Sequence, residues 1–390
     1  MILWLLIGLI SMSLMVYALQ IMALRKKIRE NYTAIELPPV SIIKPLKGID
    51  DNLFDNLESF CRQDYPKYEL ILSLQHKDDP AYRVAEKIRN KYPNIVKIVV
   101  DNSHKALNPK VKNMIQAYEI SSYDYFLISD SNVFVEPDYL RKTVAAMSKD
   151  TGLVTNLIMG VGGKSLGAKL ENLQLNSFII LSVCFLDKFL RMPCSIGKSM
   201  LMRKKDFEEI GGFNSVKDVL AEDYIIGKLM HEKGKKVVLC SHVIKNVNEY
   251  WSIKRFFNRH TRWAKIRWKI AGLKYFTEPL GNPVFISSFL PLLDGFSRIS
   301  IIGVLTVMSL KVMFDLYVSR IIKSEIGLSS ILIPFKDLLT AFMWFIPLFN
   351  CKINWRDNLY TIGRNTIIMP YEKGKSIRLI FNKLKAAFAS

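Results

Sequence analysis

Residues 1–24 form an apolar run without a charged side chain, and this run restricts most strongly what the chain can fold into. A helix rises about 1.5 Å per residue, so a run of this length can cross a hydrocarbon core about 30 Å thick. Arg25, Lys26 and Lys27 follow directly. Because a cleavable signal peptide has its basic residues before the apolar run, this order predicts a transmembrane signal anchor. Its basic end should lie in the cytoplasm.

A second apolar region extends from residue 284 to residue 350. Charged residues such as Asp294 and Lys311 interrupt it, which leaves two or three C-terminal membrane segments as alternatives. The tail 351–390 carries eight Lys or Arg and two acidic residues, so we also place it in the cytoplasm. The sequence therefore predicts an integral membrane protein whose middle region, the expected catalytic domain, lies on the cytoplasmic face.

The net charge of +20 favours an anionic partner. For a membrane-anchored chain the expected partner is the anionic membrane surface, although a diphosphate or nucleic acid also fits the charge alone. The five cysteines are odd in number and show no CxxC spacing, which argues against a disulfide framework and a zinc site. Free cysteines are typical of a reducing compartment.

Short apolar runs alternate with amphipathic stretches in the segment 39–250. The runs are rich in β-branched or aromatic residues and predict strands at 40–43, 70–74, 96–100 and 125–128. The stretches between them predict helices at 53–61, 81–91 and 110–120. This alternation is typical of an α/β domain with a mostly parallel sheet. Ligands of such sheets bind beyond the carboxyl ends of the strands.

Charged residues follow these predicted strands at the edge where a ligand is expected. They are Lys44, Asp79, Lys110 and Asp130. Each acid alone also fits a helix cap, and each lysine also fits a solvated surface. Their occurrence at successive strand ends favours a binding site.

A nucleotide-sugar donor would account for this set of charges. Asp130 is the predicted ligand of a divalent cation, Mg²⁺ or Mn²⁺, which would neutralise the donor diphosphate. Asn132 stands where a second acid would strengthen that site. We expect Asp79 to hold the nucleobase or ribose, and Lys44, Lys47 or Lys110 to contact the phosphates.

Asp223 lies in the sequence Leu-Ala-Glu-Asp-Tyr at 220–224, at the start of a predicted helix. A partly desolvated carboxylate has a raised pKa and can act as the general base for a hydroxyl. Glu222 and Asp223 also fit the simpler interpretation of first-turn acids that the helix dipole stabilises.

The segment 251–275 contains eight Lys or Arg, six aromatic residues and no acid. Its apolar stripe predicts an interfacial helix that lies on anionic lipid. Arg259, Arg262 and Trp263 share one face of this helix, where two guanidinium groups can grip a diphosphate and the indole can stack on a sugar. A nonspecific membrane anchor is the alternative interpretation.

Taken in order, the motifs resemble the ceramide glucosyltransferase family, glycosyltransferase family 21, which is related to the inverting family 2. The motifs are KPLKG, DDP, NPK, DSN, LAEDY and RHTRW. The resemblance covers about residues 39–268 and implies an α/β nucleotide-sugar-binding domain of the GT-A type. Asn132 departs from the family pattern, which usually has Gly there.

The resemblance implies a role for each matching residue. Asp79 and Asp130 would bind the UDP-sugar and metal, and Asp223 would be the catalytic base. Arg259, Arg262 and Trp263 would bind the diphosphate and the product side. The expected activity is transfer of a hexose, glucose in this family, from a UDP-sugar to the hydroxyl of a membrane lipid, ceramide in this family.

Other functions are compatible with parts of the pattern. The acceptor could be another lipid, such as a hopanoid or diacylglycerol, or the chain could be a processive polysaccharide synthase. A synthase usually has Gln at the position of Arg259 and more C-terminal spans. The chain could also be a membrane-tethered nucleic-acid-binding protein, but that function would not explain Asp79, Asp130 and Asp223. We therefore expect no nucleic-acid partner. The apolar segment 165–195 fits either a lipid slot or a core helix.

Overall fold

The computed structural model describes residues 1–33, 36–350, 352–355 and 358–370. The helices are α1 Ile2–Ile28, α2 Leu53–Cys61, α3 Pro80–Lys91, α4 Pro109–Glu119, α5 Tyr139–Ala145, α6 Leu166–Gln174, α7 Ile180–Leu190, α8 Lys204–Glu209, α9 Glu222–Glu232, α10 Ile253–Ala271, α11 Pro283–Ser287, α12 Leu290–Leu293, α13 Arg298–Ile322 and α14 Ile333–Phe349. The π-helix Leu175–Ile179 joins α6 to α7, and 3₁₀ turns lie at Gly212–Ser215, Gly272–Gly281, Gly327–Leu332 and Arg364–Thr366. The strands are β1 Val40–Pro45, β2 Tyr68–Leu74, β3 Val96–Val100, β4 Tyr125–Ile128, β5 Val133–Phe134, β6 Thr151–Val161, β7 Met200–Arg203, β8 Lys236–Val247, β9 Lys352–Trp355, β10 Asn358–Ile362 and β11 Ile368–Pro370.

The central element is a mixed sheet with the strand order β3-β2-β1-β4-β7-β6-β8-β5 in the described part of the chain. Strands β1 to β4 are parallel, as the alternation of strands and helices predicts. Strand β7 runs antiparallel to its neighbours β4 and β6, and β5 runs antiparallel to β8. The strands β9, β10 and β11 form a separate antiparallel sheet that the sequence pattern did not indicate.

The sheet is buried on both faces. Alternate residues of each strand point to opposite sides, and each side packs against helices. Ile42 and Leu70 pack with α2, α3 and α5 on one face. Ile43 and Ile71 pack with α4, α8 and α9 on the other. Two hydrophobic layers therefore hold the strand ends in place, and side chains that follow the strands acquire fixed positions.

Within the described residues, three helices are long and apolar enough to cross a membrane, namely Ile2–Ile28, Arg298–Ile322 and Gly327–Phe349. Two of them belong to the C-terminal apolar region, which also contains the shorter apolar segment Pro283–Leu293, so both predicted counts stay predictions. Tyr17 and Leu24 of α1 pack with Val318 of α13 and with Leu181 of α7. The apolar helices α1 and α13 thus pack on the α/β domain through α7 and through residues of β6 and β8.

Helix α10 covers most of the predicted basic segment, but part of its apolar stripe packs on protein. Ser252 caps the helix by accepting a hydrogen bond from the Arg255 N–H. Phe256 is buried against Leu170 of α6 and Met343 of α14. An amphipathic pattern predicts that the apolar face of a helix is buried, but both protein and lipid can bury it. Contact of α10 with lipid stays a prediction, and residues 371–390 of the predicted tail lie outside the described residues.

Candidate active site

A cleft of about 740 Å³ opens at the carboxyl end of the parallel strands. Asp130 follows β4, Lys110 lies in the first turn of α4, and Asp223 lies in the first turn of α9. The side chains of these three residues, which are distant in sequence, all line the cleft. Helix α10 forms the opposite wall with Arg259, Arg262 and Trp263. Six of the eight predicted site residues therefore line this cleft.

Asp130 lies at the centre of a network of ion pairs. Its Oδ1 is 2.8 Å from Lys110 Nζ, and its Oδ2 is 2.8 Å from Lys198 Nζ. Lys110 Nζ is also 2.7 Å from Glu222 Oε1, and Lys198 Nζ donates to Asn132 Oδ1 at 2.6 Å. Burial alone would raise the pKa of Asp130, but the two lysines outweigh it and hold that pKa well below the usual range. Asp130 is therefore ionised at neutral pH.

Asp223 lies beside this network in a different electrostatic environment. Its Oδ2 accepts a hydrogen bond from the Gly197 N–H at 2.9 Å, and its Oδ1 accepts one from the Tyr224 N–H at 2.8 Å. Burial and the adjacent Glu222 carboxylate raise the pKa of Asp223 to about 6, while Lys110 and the two backbone donors oppose the shift. A carboxylate with such a pKa is ionised near neutral pH and is basic enough to accept a proton.

Gly197 allows the loop before β7 to approach Asp223 closely. A Cβ atom at this position would lie 2.9 Å from Asp223 Oδ2 and 3.2 Å from Lys110 Nζ. The first distance is too short for a carbon, so a side chain here would displace the carboxylate. Lys198 on the same loop was not among the predicted site residues, because nothing in the sequence spacing links this loop to the end of β4.

Arg259 is held by a buried acid of α6. Arg259 Nη1 lies 3.3 Å from Glu171 Oε1, and the guanidinium carbon lies 4.4 Å from the centroid of the Trp263 ring. The Nε2 atom of the neighbouring His260 lies 2.8 Å from Glu171 Oε2. Burial alone would raise the pKa of Glu171, but Arg259 and His260 lower it to about 2. Glu171 was not among the residues predicted for the site.

Lys44 and Asp79 do not line the cleft in the described structure. Alternation along β1 directs Lys44 to the same face as Ile42, where its Nζ lies 3.5 Å above the Phe60 ring centroid. Burial holds its pKa well below the usual value for lysine. Asp79 caps α3, because its Oδ1 accepts hydrogen bonds from the Ala81 and Gly48 N–H groups. Their predicted contacts with the donor stay predictions.

The sheet, its flanking helices and the charged cleft at its carboxyl edge define a glycosyltransferase of the GT-A type. Among solved structures, that of a mannosyltransferase from Pyrobaculum calidifontis in complex with GDP-Man and Mn²⁺ superposes with a TM-score of 0.51. The superposition covers 87% of this chain and 99% of that chain at 13% sequence identity. At this identity the likeness shows the fold alone, and the predicted fold class is confirmed.

The family model of glycosyl transferase family 21 matches residues 5–368, and the chain belongs to this family. Ceramide glucosyltransferase 3 of Caenorhabditis elegans is 29% identical over 365 residues, which cover 89% of this chain and 77% of that protein. Ceramide glucosyltransferase 1 of the same organism is 33% identical over 251 residues, or 64% of this chain and 54% of that protein. A ceramide glucosyltransferase of Komagataella phaffii is 31% identical over 201 residues, or 45% of this chain and 40% of that protein. These matches confirm the resemblance that the motifs indicated.

Proposed function

We propose that this enzyme transfers glucose from a UDP-sugar to the hydroxyl of ceramide, in one inverting step at the cytoplasmic face of a membrane. The observation that carries the proposal is the position of Asp223, a carboxylate with a raised pKa, beside a cluster of cations in one cleft. The names of the relatives support ceramide as the acceptor and glucose as the sugar. The basic residues after α1 support the cytoplasmic orientation.

In this reaction Asp223 would accept the proton of the lipid hydroxyl as its oxygen attacks the anomeric carbon of the sugar. The bond from that carbon to the donor phosphate breaks on the opposite face, so the configuration inverts and UDP leaves with the electron pair. Lys110, Lys198 and Arg262 line the same cleft and would meet the charge that develops on the diphosphate. The donor would therefore be bound by cations already present in the free enzyme.

A divalent cation fits this site only together with the nucleotide. Asp130 and Asn132 offer a carboxylate and an amide oxygen, which are hard ligands suited to Mg²⁺ or Mn²⁺. Both Asp130 oxygens are, however, paired with lysines, and the described residues contain no group of three His, Cys, Asp or Glu that could hold a metal. The diphosphate would have to supply further oxygen ligands and draw the lysines away. Bound there, the cation would neutralise the diphosphate.

We expect Mn²⁺ to bind the wild-type enzyme with UDP and not without it. Electron paramagnetic resonance of free Mn²⁺, titrated with enzyme in the presence or absence of UDP, measures this binding. Lys198→Met should permit Mn²⁺ to bind without UDP, because it frees one Asp130 oxygen. Asp130→Asn is the matched control, since it removes the carboxylate and should abolish binding under both conditions. Saturable binding to the wild type without UDP, lost in Asp130→Asn, would contradict the expectation.

The rate of transfer should fall at acid pH because Asp223 must be ionised to accept a proton. With its pKa raised to about 6, the ionised fraction is nearly complete above neutral pH and is lost as pH falls through 6. At about pH 5 the maximal rate should be roughly tenfold below its plateau. Initial rates at saturating donor and acceptor, measured with UDP binding at each pH, check this. A rate that stays flat to about pH 5 would exclude this assignment of the base.

The overall proposal is tested by the products that the enzyme forms. Membranes that contain the enzyme are incubated with UDP-glucose, UDP-galactose or UDP-N-acetylglucosamine, and with ceramide or diacylglycerol, and the lipids are analysed by mass spectrometry. Glucosylceramide should form from UDP-glucose, and membranes with Asp223→Asn should lack it. Product on diacylglycerol alone would replace ceramide as the acceptor. Absence of any glycolipid, with the enzyme intact, would refute the proposed function.

A further inference from the structure

A cavity with several polar side chains in its lining lies between the apolar helices and the α/β domain, next to the catalytic cleft. Six of its lining residues come from four helices: Tyr17 of α1, Gln174 of α6, Lys311 of α13, and Lys336, Asp337 and Thr340 of α14. Arg267 of α10 lines both this cavity and the catalytic cleft. Ionisable side chains inside a membrane segment are costly and commonly mark a functional site.

The charges in this cavity are balanced by neighbours. Lys311 Nζ lies 2.6 Å from Asp315 Oδ2, and Lys336 Nζ lies 2.5 Å from Asp337 Oδ1. Tyr17 also donates its hydroxyl proton to Asp315. Because each lysine is paired with an acid, the cavity has little excess charge to attract a phosphate. Its donors and acceptors suit a ligand that is polar and uncharged.

Gln174 offers an acceptor that the fold does not use. Only 5% of the Gln174 surface is exposed, and among the described residues its Oε1 has no hydrogen-bond partner. A buried polar atom without a partner is destabilising, so a ligand that pairs with it gains affinity. Gln174 is not loosely placed, since it directly precedes the π-helix. Asn176 fixes that turn by hydrogen bonds to both the N–H and the C=O of Gly160, at 2.7 and 2.9 Å.

We propose that this cavity binds the uncharged headgroup of the acceptor lipid, with Gln174 accepting a hydrogen bond from the lipid's amide N–H. The inference rests on the proposed function and adds to it the residues that would select an amide lipid. Arg267 connects the cavity to the cleft, so a headgroup bound here lies beside the wall that carries Arg259 and Arg262. Thr340 of α14 lines the same cavity and is the candidate for a second polar contact, since its hydroxyl oxygen can still accept a hydrogen bond.

The first test compares two acceptors with the full-length enzyme in lipid nanodiscs. They are ceramide and N-methylated ceramide, which lacks the amide N–H. Gln174→Leu should raise KM for ceramide about tenfold, because one hydrogen bond to a buried group is lost. Its KM for N-methylated ceramide should match that of the wild type, and its Kd for UDP should stay unchanged. A general structural defect would instead impair both acceptors alike.

A second pair of variants keeps the test decisive if Gln174→Leu does not fold. Thr340→Val removes a hydroxyl from the cavity, whereas Thr306→Val removes one from an exposed position on α13. Both hydroxyls donate to a backbone carbonyl of their own helix, so the pair is matched. Only Thr340→Val should raise KM for ceramide. Unchanged KM values in Thr340→Val and in folded Gln174→Leu would overturn the inference, whereas no transfer by the wild type would instead refute the proposed function.

Discussion

Asp223→Asn is expected to lower the rate of transfer by about 10²-fold to 10⁴-fold, the usual contribution of a general base. The amide keeps the size of the side chain, but its single oxygen can accept from only one of the Gly197 and Tyr224 N–H groups, because these donate to different oxygens of Asp223. It cannot accept the proton of the lipid hydroxyl. Initial rates with UDP-glucose and ceramide, together with Kd for UDP, measure the two effects separately.

Glu232→Gln is the matched control for this variant. Glu232 lies at the last turn of the same helix, α9, where it forms an exposed pair with Lys228 at 3.7 Å. Its replacement removes one negative charge from α9 without changing the cleft. The transfer rate of Glu232→Gln should remain within about twofold of wild type, since exposed ion pairs contribute little. Full turnover by Asp223→Asn would refute the role of Asp223 as base.

Glu171→Leu is expected to reduce the free energy of unfolding by about 3–5 kcal/mol, because it leaves Arg259 as an unpaired charge in a buried site. Glu171 is fully buried and is within ion-pair distance of both Arg259 and His260. The variant should also bind UDP more weakly, since Arg259 loses the anchor that holds it beside Trp263. Thermal unfolding of the purified enzyme in detergent and UDP titration measure the two consequences.

The double variant Glu171→Leu with Arg259→Leu tests the cause. Removing both charges should restore a large part of the lost stability, because the penalty comes from the uncompensated guanidinium and not from the missing carboxylate. It should not restore UDP binding if Arg259 contacts the diphosphate. Equal stability of the single and double variants would contradict this explanation, and UDP binding at wild-type strength would argue against a donor role for Arg259.

The local pattern of the chain was sufficient to predict the parallel strands β1 to β4 and the helices α2 to α4 between them, which form one half of the mixed sheet. The strands β3 and β4 and the helix α2 have the predicted bounds, and β1 and β2 each extend two residues further. These elements are predictable because the spacing of apolar residues within a short stretch of sequence indicates a strand or a helix. The small sheet β9-β10-β11 was not predicted, since its strands are stabilised by pairing with one another and by packing of Ile353 and Ile368 against Leu220.

The predicted site was incomplete for a related reason. Asp130, Lys110 and Asp223 were recognised because they follow strands or begin helices in short motifs. Lys198 and Glu171 were missed because each meets its partner across the fold, on a loop before β7 and on α6. Lys44 illustrates the opposite case, since its place in a motif suggested the cleft while the alternation of β1 turned it toward Phe60.

The sequence itself determined the acidic and basic motifs at the strand ends, the long apolar helices and the order of the elements. Residue type and spacing decide such properties, and together they indicated the family before any contact was known. Only the tertiary structure decided the electrostatic state of the site, because a pKa depends on burial and on charges that lie far apart along the chain. Two lysines thus keep Asp130 ionised, whereas burial and Glu222 raise the pKa of Asp223.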